Sequence, residues 1–75
     1  MIEYTESFKI HDFRFEVNLE ICTTTFDYRI MKINVFFVGI DDHGVQLSPG
    51  GSTYVLDTYL DDVIDFIETN VGNWL

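Results

Sequence analysis

Phe13-Arg14-Phe15-Glu16-Val17-Asn18-Leu19-Glu20-Ile21 places an apolar residue at every odd position and a polar one at every even position. That period of two describes a strand with one face buried and the other wet. Upstream, Phe8 and Ile10 alternate with the opposite parity, so a bulge or short turn near His11-Asp12 is needed to join the two runs. Downstream, a second strand is expected from about Arg29 to Ile40. Lys32 and Asn34 alternate at first, and Val35-Phe36-Phe37-Val38 is then apolar on both sides. Such a run suits a central strand, or one whose outer face meets another chain. The joint near Thr25-Phe26-Asp27-Tyr28 contains neither Gly nor Pro.

Asp41-Asp42-His43-Gly44 reads as a hairpin loop, with the glycine placed for a positive φ. Val45-Gln46-Leu47 follows as a short strand, Ser48-Pro49-Gly50-Gly51-Ser52 as a turn and Tyr54-Val55-Leu56 as a last short strand. A C-terminal helix is then predicted. Thr58 would be its N-cap with Asp61 at N3, in a variant of the capping box. Leu60, Val63, Ile64, Ile67 and Val71 form one helical stripe, and Gly72 stands where a helix commonly stops. Residues 1–75 therefore read as one α+β domain, an antiparallel meander of three to four strands with one helix packed on one face. Phe13, Phe15, Val17, Leu19, Ile33, Val35 and Phe37 are the positions expected to face that helix.

The chain has 75 residues, and a domain of this size buries only about 60% of its unfolded surface. Cys22 is the sole cysteine, so no internal disulfide helps. A lone thiol fits a reducing compartment. The opening Met-Ile-Glu-Tyr-Thr-Glu lacks the basic and apolar segments of a secretory signal, and a cytoplasmic location is the expectation.

Charge is distributed unevenly. Thirteen acids and four bases give a formal net charge of −9. Lys9, Arg14, Arg29 and Lys32 all precede residue 33, and seven acids with no base follow it. Nucleic-acid phosphates and anionic membranes both require clustered cations, so direct binding to either is disfavoured, whereas a basic protein surface would attract this chain. On the predicted helix, Asp57, Asp61, Asp65 and Glu68 fall within an arc of roughly 80°, flanked by Asp62. A solvated face is the plain reading, with the early aspartates favoured by the helix dipole. Yet no Lys or Arg accompanies them, and like charges one turn apart repel. These five acids, with Asp41 and Asp42 of the hairpin loop, are the candidate partner-binding residues.

Other chemistry finds little footing. The Asp41–Gly44 loop lacks the further oxygen ligands of a calcium site, and Cys22, His11 and His43 have no zinc spacing. No metal or cofactor is expected. His11-Asp12 is a pair by adjacency alone, and Cys22, ending an apolar alternation with no base nearby, reads as a small buried hydrophobe. Pro49–Ser52 lacks the lysine of a phosphate loop. No catalytic residues are expected. The aromatics Tyr4, Phe8, Phe26, Tyr28, Phe36, Tyr54, Tyr59, Phe66 and Trp74 exceed the alternating core positions. Most should complete the core, and the surplus suits an interface or a homodimer that buries the second sheet face.

In short length, strong acidity, aromatic richness and meander-then-helix order, the chain resembles small phage-encoded inhibitors such as anti-CRISPR proteins and other DNA mimics. The resemblance lies in the overall profile and transfers no individual residue. It implies carboxylates that imitate phosphates and fill the positively charged channel of a host nucleic-acid enzyme. Two other readings use the same features: an immunity or antitoxin protein that neutralises a basic nuclease, and a structural homodimer whose acidity serves solubility.

Overall fold

The computed structural model describes residues 1–39 and 43–74. Four antiparallel strands form a meander, β1 (Ile2–Ile10), β2 (Phe13–Ile21), β3 (Tyr28–Phe37) and β4 (Val45–Gln46), adjacent in chain order. One helix, α1 (Pro49–Asn70), covers a single face and ends in a 3-10 turn, Val71–Asn73. The α+β expectation holds. No described helix is long and apolar enough to cross a membrane.

β2 is the spine of the sheet. Phe15, Val17, Leu19 and Ile21 are completely buried, and they lie in the same core as Val35 of β3 and Val63 and Ile67 of α1. Pairing brings Tyr4, Glu6, Phe8 and Ile10 of β1 opposite Leu19, Val17, Phe15 and Phe13, so the even residues of β1 share the face of the odd residues of β2. The parity switch is made by a two-residue turn in which His11 takes φ +53°. The Asp12 carbonyl then accepts hydrogen bonds from the N–H groups of Val38 (2.8 Å) and Gly39 (3.4 Å), which pins the far end of β3 to this turn.

A bulge interrupts β3. Leu19 pairs with Ile30 and Asn18 with Lys32, which leaves Met31 without an opposite residue. The extra residue changes the parity of β3, so that Ile30 and Tyr28 join Ile33 in packing against the core. Of the seven core positions expected from alternation, Phe15, Val17, Leu19 and Val35 are buried, and Phe13 and Ile33 pack against the core partly covered. Phe37 departs from the expectation. It is 47% exposed at the end of its strand, with its ring edge-on to Phe13.

The helix begins nine residues before Thr58. Ser48 is its N-cap, and the hydroxyl oxygen accepts from the Gly51 N–H at 3.3 Å. Pro49 opens the first turn, where a missing N–H costs nothing, so Ser48–Ser52 is a helix start rather than a free turn. Tyr54-Val55-Leu56 is likewise helical, and Val55 is buried in the core. Thr58 caps nothing; its hydroxyl donates to the Tyr54 carbonyl inside the helix at 3.0 Å. The predicted stripe holds at Val63, Ile67 and Val71, whereas Leu60 is 41% exposed. Gly72 lies in the 3-10 turn without the left-handed φ of a helix stop.

An aromatic clasp holds α1 to the edge strand. Tyr4 stacks on Trp74 with ring centroids 5.1 Å apart, Phe8 stacks on Phe66 at 4.0 Å and His11 meets Tyr59 at 5.5 Å. As residue numbers rise along β1 they fall along α1, so the two elements run side by side in opposite directions.

Phe15→Ala is expected to cost about 3–5 kcal/mol, enough to unfold a small domain of ordinary stability in a denaturant titration. Gly50→Ala tests the revised helix start. The Gly50 Cβ position is open and its φ is not left-handed, so alanine should stabilise by about 0.4–1 kcal/mol in the same titration.

Candidate partner-binding face

The longer helix changes how its acids are placed. Asp57 lies two turns inside α1, and the first turn contains no acid. The helix dipole acts mainly on its terminal turn, so it does not account for this row of carboxylates. Asp57, Asp61, Asp62, Asp65 and Glu68 are all exposed. Val55, Val63 and Ile67 fix the buried side of the helix, and at 100° per residue the row Asp57, Asp61, Asp65 and Glu68 is centred on the opposite side. Tyr54, one turn before this row and on the same side, is 76% exposed.

The structure therefore brings five of the seven candidates onto one helix surface. Asp41 and Asp42 lie outside the described residues, although Gly44 beyond them does take the expected positive φ of +75°. Among the described residues the ridge has one polar cross-link: the Tyr28 hydroxyl donates to a Glu68 carboxylate oxygen at 3.3 Å. Burial of the Tyr28 ring, followed by the negative charge of Glu68 and this bond, raises the phenol above its ordinary pKa.

Opposite charge is kept on the other side of the molecule. Strand alternation and pairing put Lys9 beside Arg14, Lys32 opposite Asn18 and Arg29 opposite Glu20, all on the face of the sheet that α1 leaves open. Arg29 and Glu20 form a salt bridge there. Arg14 lies over the Phe36 ring, 4.8 Å from its centroid, and so covers the outward aromatic of the apolar run. The open face is consequently polar, and an apolar second sheet face is not present to be buried by another copy. Most of the aromatic surplus is absorbed in the core and in the clasp with α1, leaving Phe26, Phe37 and Tyr54 as the large exposed rings.

Cys22 differs from its expected role. It is partly exposed at the start of the β2–β3 loop. The Thr25 hydroxyl and the backbone N–H groups of Thr25 and Thr24 address its sulfur, which brings the thiol from 9.0 down to about 7. The same hydroxyl donates to an Asp27 carboxylate oxygen at 3.0 Å. The adjacent Phe26 is held at φ +62° with 45% of its surface exposed, an uncommon backbone state for a bulky residue. No base is near Cys22 in sequence, and the signal that was missed is the triple threonine that follows it. Among the described residues, no three His, Cys, Asp or Glu side chains converge as a metal site would require.

Comparison with protein-family models, with curated proteins and with solved structures finds no match for the chain.

The lowered thiol makes a direct pH prediction. Alkylation of Cys22 by iodoacetamide should reach half its maximal rate near pH 7, because the thiolate is the reacting form. Thr25→Val removes a stabilising donor and should move that midpoint upward.

Proposed function

We propose that this chain is a non-catalytic binding protein whose acidic helix docks on the basic surface of a nucleic-acid-binding protein, as a DNA mimic does. The observation that carries the reading is the carboxylate row on α1, turned away from the core, outside the first turn where the helix dipole would favour it, and accompanied by no cation on the helix. A surface of this kind opposes folding slightly through like-charge repulsion, and a cationic partner relieves it. Tyr54 adds an aromatic contact beside the charges, the combination that protein interfaces favour at their centres. Inhibition needs nothing further: a body that occupies a cationic channel excludes nucleic acid from it. Phage-encoded inhibitors of host defence enzymes are the class in which this arrangement is most at home. The homodimer reading loses its motive on the open sheet face, where Lys9, Arg14, Arg29 and Lys32 alternate with polar residues.

Neutralising Asp57→Asn, Asp61→Asn and Glu68→Gln together should slow association by about tenfold or more while the melting temperature holds or rises. The measurement is capture from host lysate at low and high salt, followed by release with added DNA or RNA. The captured protein should be basic, salt-sensitive and displaced by nucleic acid. Equal capture by the neutralised variant at low salt would refute the ridge as a binding face.

A further inference from the structure

β1 has one edge that pairs with no described strand, and beside it lies an open groove of about 480 Å³ between the strand's C-terminal end and α1. Ile10 and Phe66 supply its apolar surface, and Asp62, Asp65 and Thr69 line it from the helix side. It is not uniformly acidic, since Lys9 and His11 stand at its turn end, His11 against Tyr59. Asp62 and Asp65 form no ion pair with a described residue.

Midway along the same edge stands Glu6. Its partner Val17 is fully buried, so register places a carboxylate on the core side of an edge strand. It accepts from the Tyr4 hydroxyl at 3.0 Å and from the Ser7 N–H at 3.1 Å, both neutral donors. A charge facing inward at an edge is a known device against unwanted strand pairing. Here it acts selectively. If β1 paired antiparallel with a second copy in full register, Glu6 would meet Glu6, because it is the middle residue of Ile2–Ile10. An apolar strand would leave the carboxylate facing a hydrocarbon neighbour. A strand with a cation at that position would instead satisfy it, so the residue that rejects two occupants favours a third.

We propose that the free edge of β1 accepts an extended segment of the basic partner as a fifth strand. This rests on the reading of a basic partner given above. Main-chain hydrogen bonds supply the attachment, and side chains on the core side supply the choice of sequence. The positions opposite Glu6 and Ile10 lie four residues apart on one face, with the position opposite Phe8 between them. The segment therefore reads cation, any residue, apolar residue, any residue, cation. The first cation meets Glu6, and the second runs over Ile10 and Phe66 to reach Asp62 and Asp65.

The test follows backbone amide signals of the isotope-labelled full chain during titration with seven-residue peptides. One carries two arginines flanking a central valine, with threonines elsewhere; a second replaces the arginines by glutamates. Two more carry the arginines with N-methyl groups on alternate amides, in either phase. The arginine peptide should shift amides of β1 and of residues 62–69. The glutamate peptide and one N-methylated form should bind at least tenfold more weakly, and Glu6→Lys should favour the glutamate peptide. Shifts confined to Asp57, Asp61 and Glu68, or no shift at all, overturn strand addition. The first of these results leaves the acidic ridge standing. Shifts of β1 that depend on protein concentration alone identify a second copy as the occupant and also overturn the proposal. If the peptide docks on β1 while the neutralised ridge variant still captures its target, the ridge fails and the strand site remains.

Discussion

Burial of one side of β2 beneath a single helix is the constraint on which this molecule depends. Phe15, Val17, Leu19 and Ile21 share their core with Val55, Val63 and Ile67 of α1, and a two-layer domain of this size depends on that single core. The helix must therefore present an unbroken apolar side along much of its length, from Val55 to Ile67 and on to Val71 in the following turn. The acids of α1 lie on its outward side or its flank, and the cations of the strands alternate onto the open face of the sheet.

The sheet's two edges are managed by different means. On one side an inward carboxylate, Glu6, interrupts the series Tyr4, Phe8, Ile10. On the other, the bulge at Met31 twists β3, and β4 protects only its last residues, pairing with Phe36 and Phe37. Both devices discourage indiscriminate pairing of a chain whose strands are rich in aromatic and β-branched residues. Only the Glu6 device is selective by charge.

Much of this was legible in the sequence. The alternation of Phe13–Ile21 identified the spine, and the opposite parity of Phe8 and Ile10 required the irregularity that His11 and Asp12 provide. The helix was recognised from Val63 and Ile67 but started too late, because Pro49-Gly50-Gly51 carries the composition of a turn. Its own signal was present: Ser48 before Pro49 is a helix entry, and Val55 and Tyr59 continue the series of Val63 and Ile67 by fours. The Met31 bulge was hidden because the run Ile30-Met31-Lys32-Ile33 offers apolar residues to either parity. Asp57, Asp61, Asp62, Asp65 and Glu68 were recognisable as one surface since helical spacing alone groups them. Glu6 was not, because its orientation depends on the register between β1 and β2, a non-local fact. The environment of Cys22 likewise arises only when the loop folds Thr24 and Thr25 back toward the sulfur.

The separation of charge between the two layers has a consequence for motion in solution. Five negative charges on α1 and the four cations, offset by Glu3, Glu16 and Glu20, on the open sheet face make an electric moment that crosses the molecule roughly perpendicular to the sheet. In the field of a cationic body such a particle experiences a torque as well as an attraction, and it turns helix-first before any contact forms. Net charge draws the molecule toward such a body; the asymmetry sets the attitude in which it arrives, and so reduces the rotational search that otherwise limits encounter.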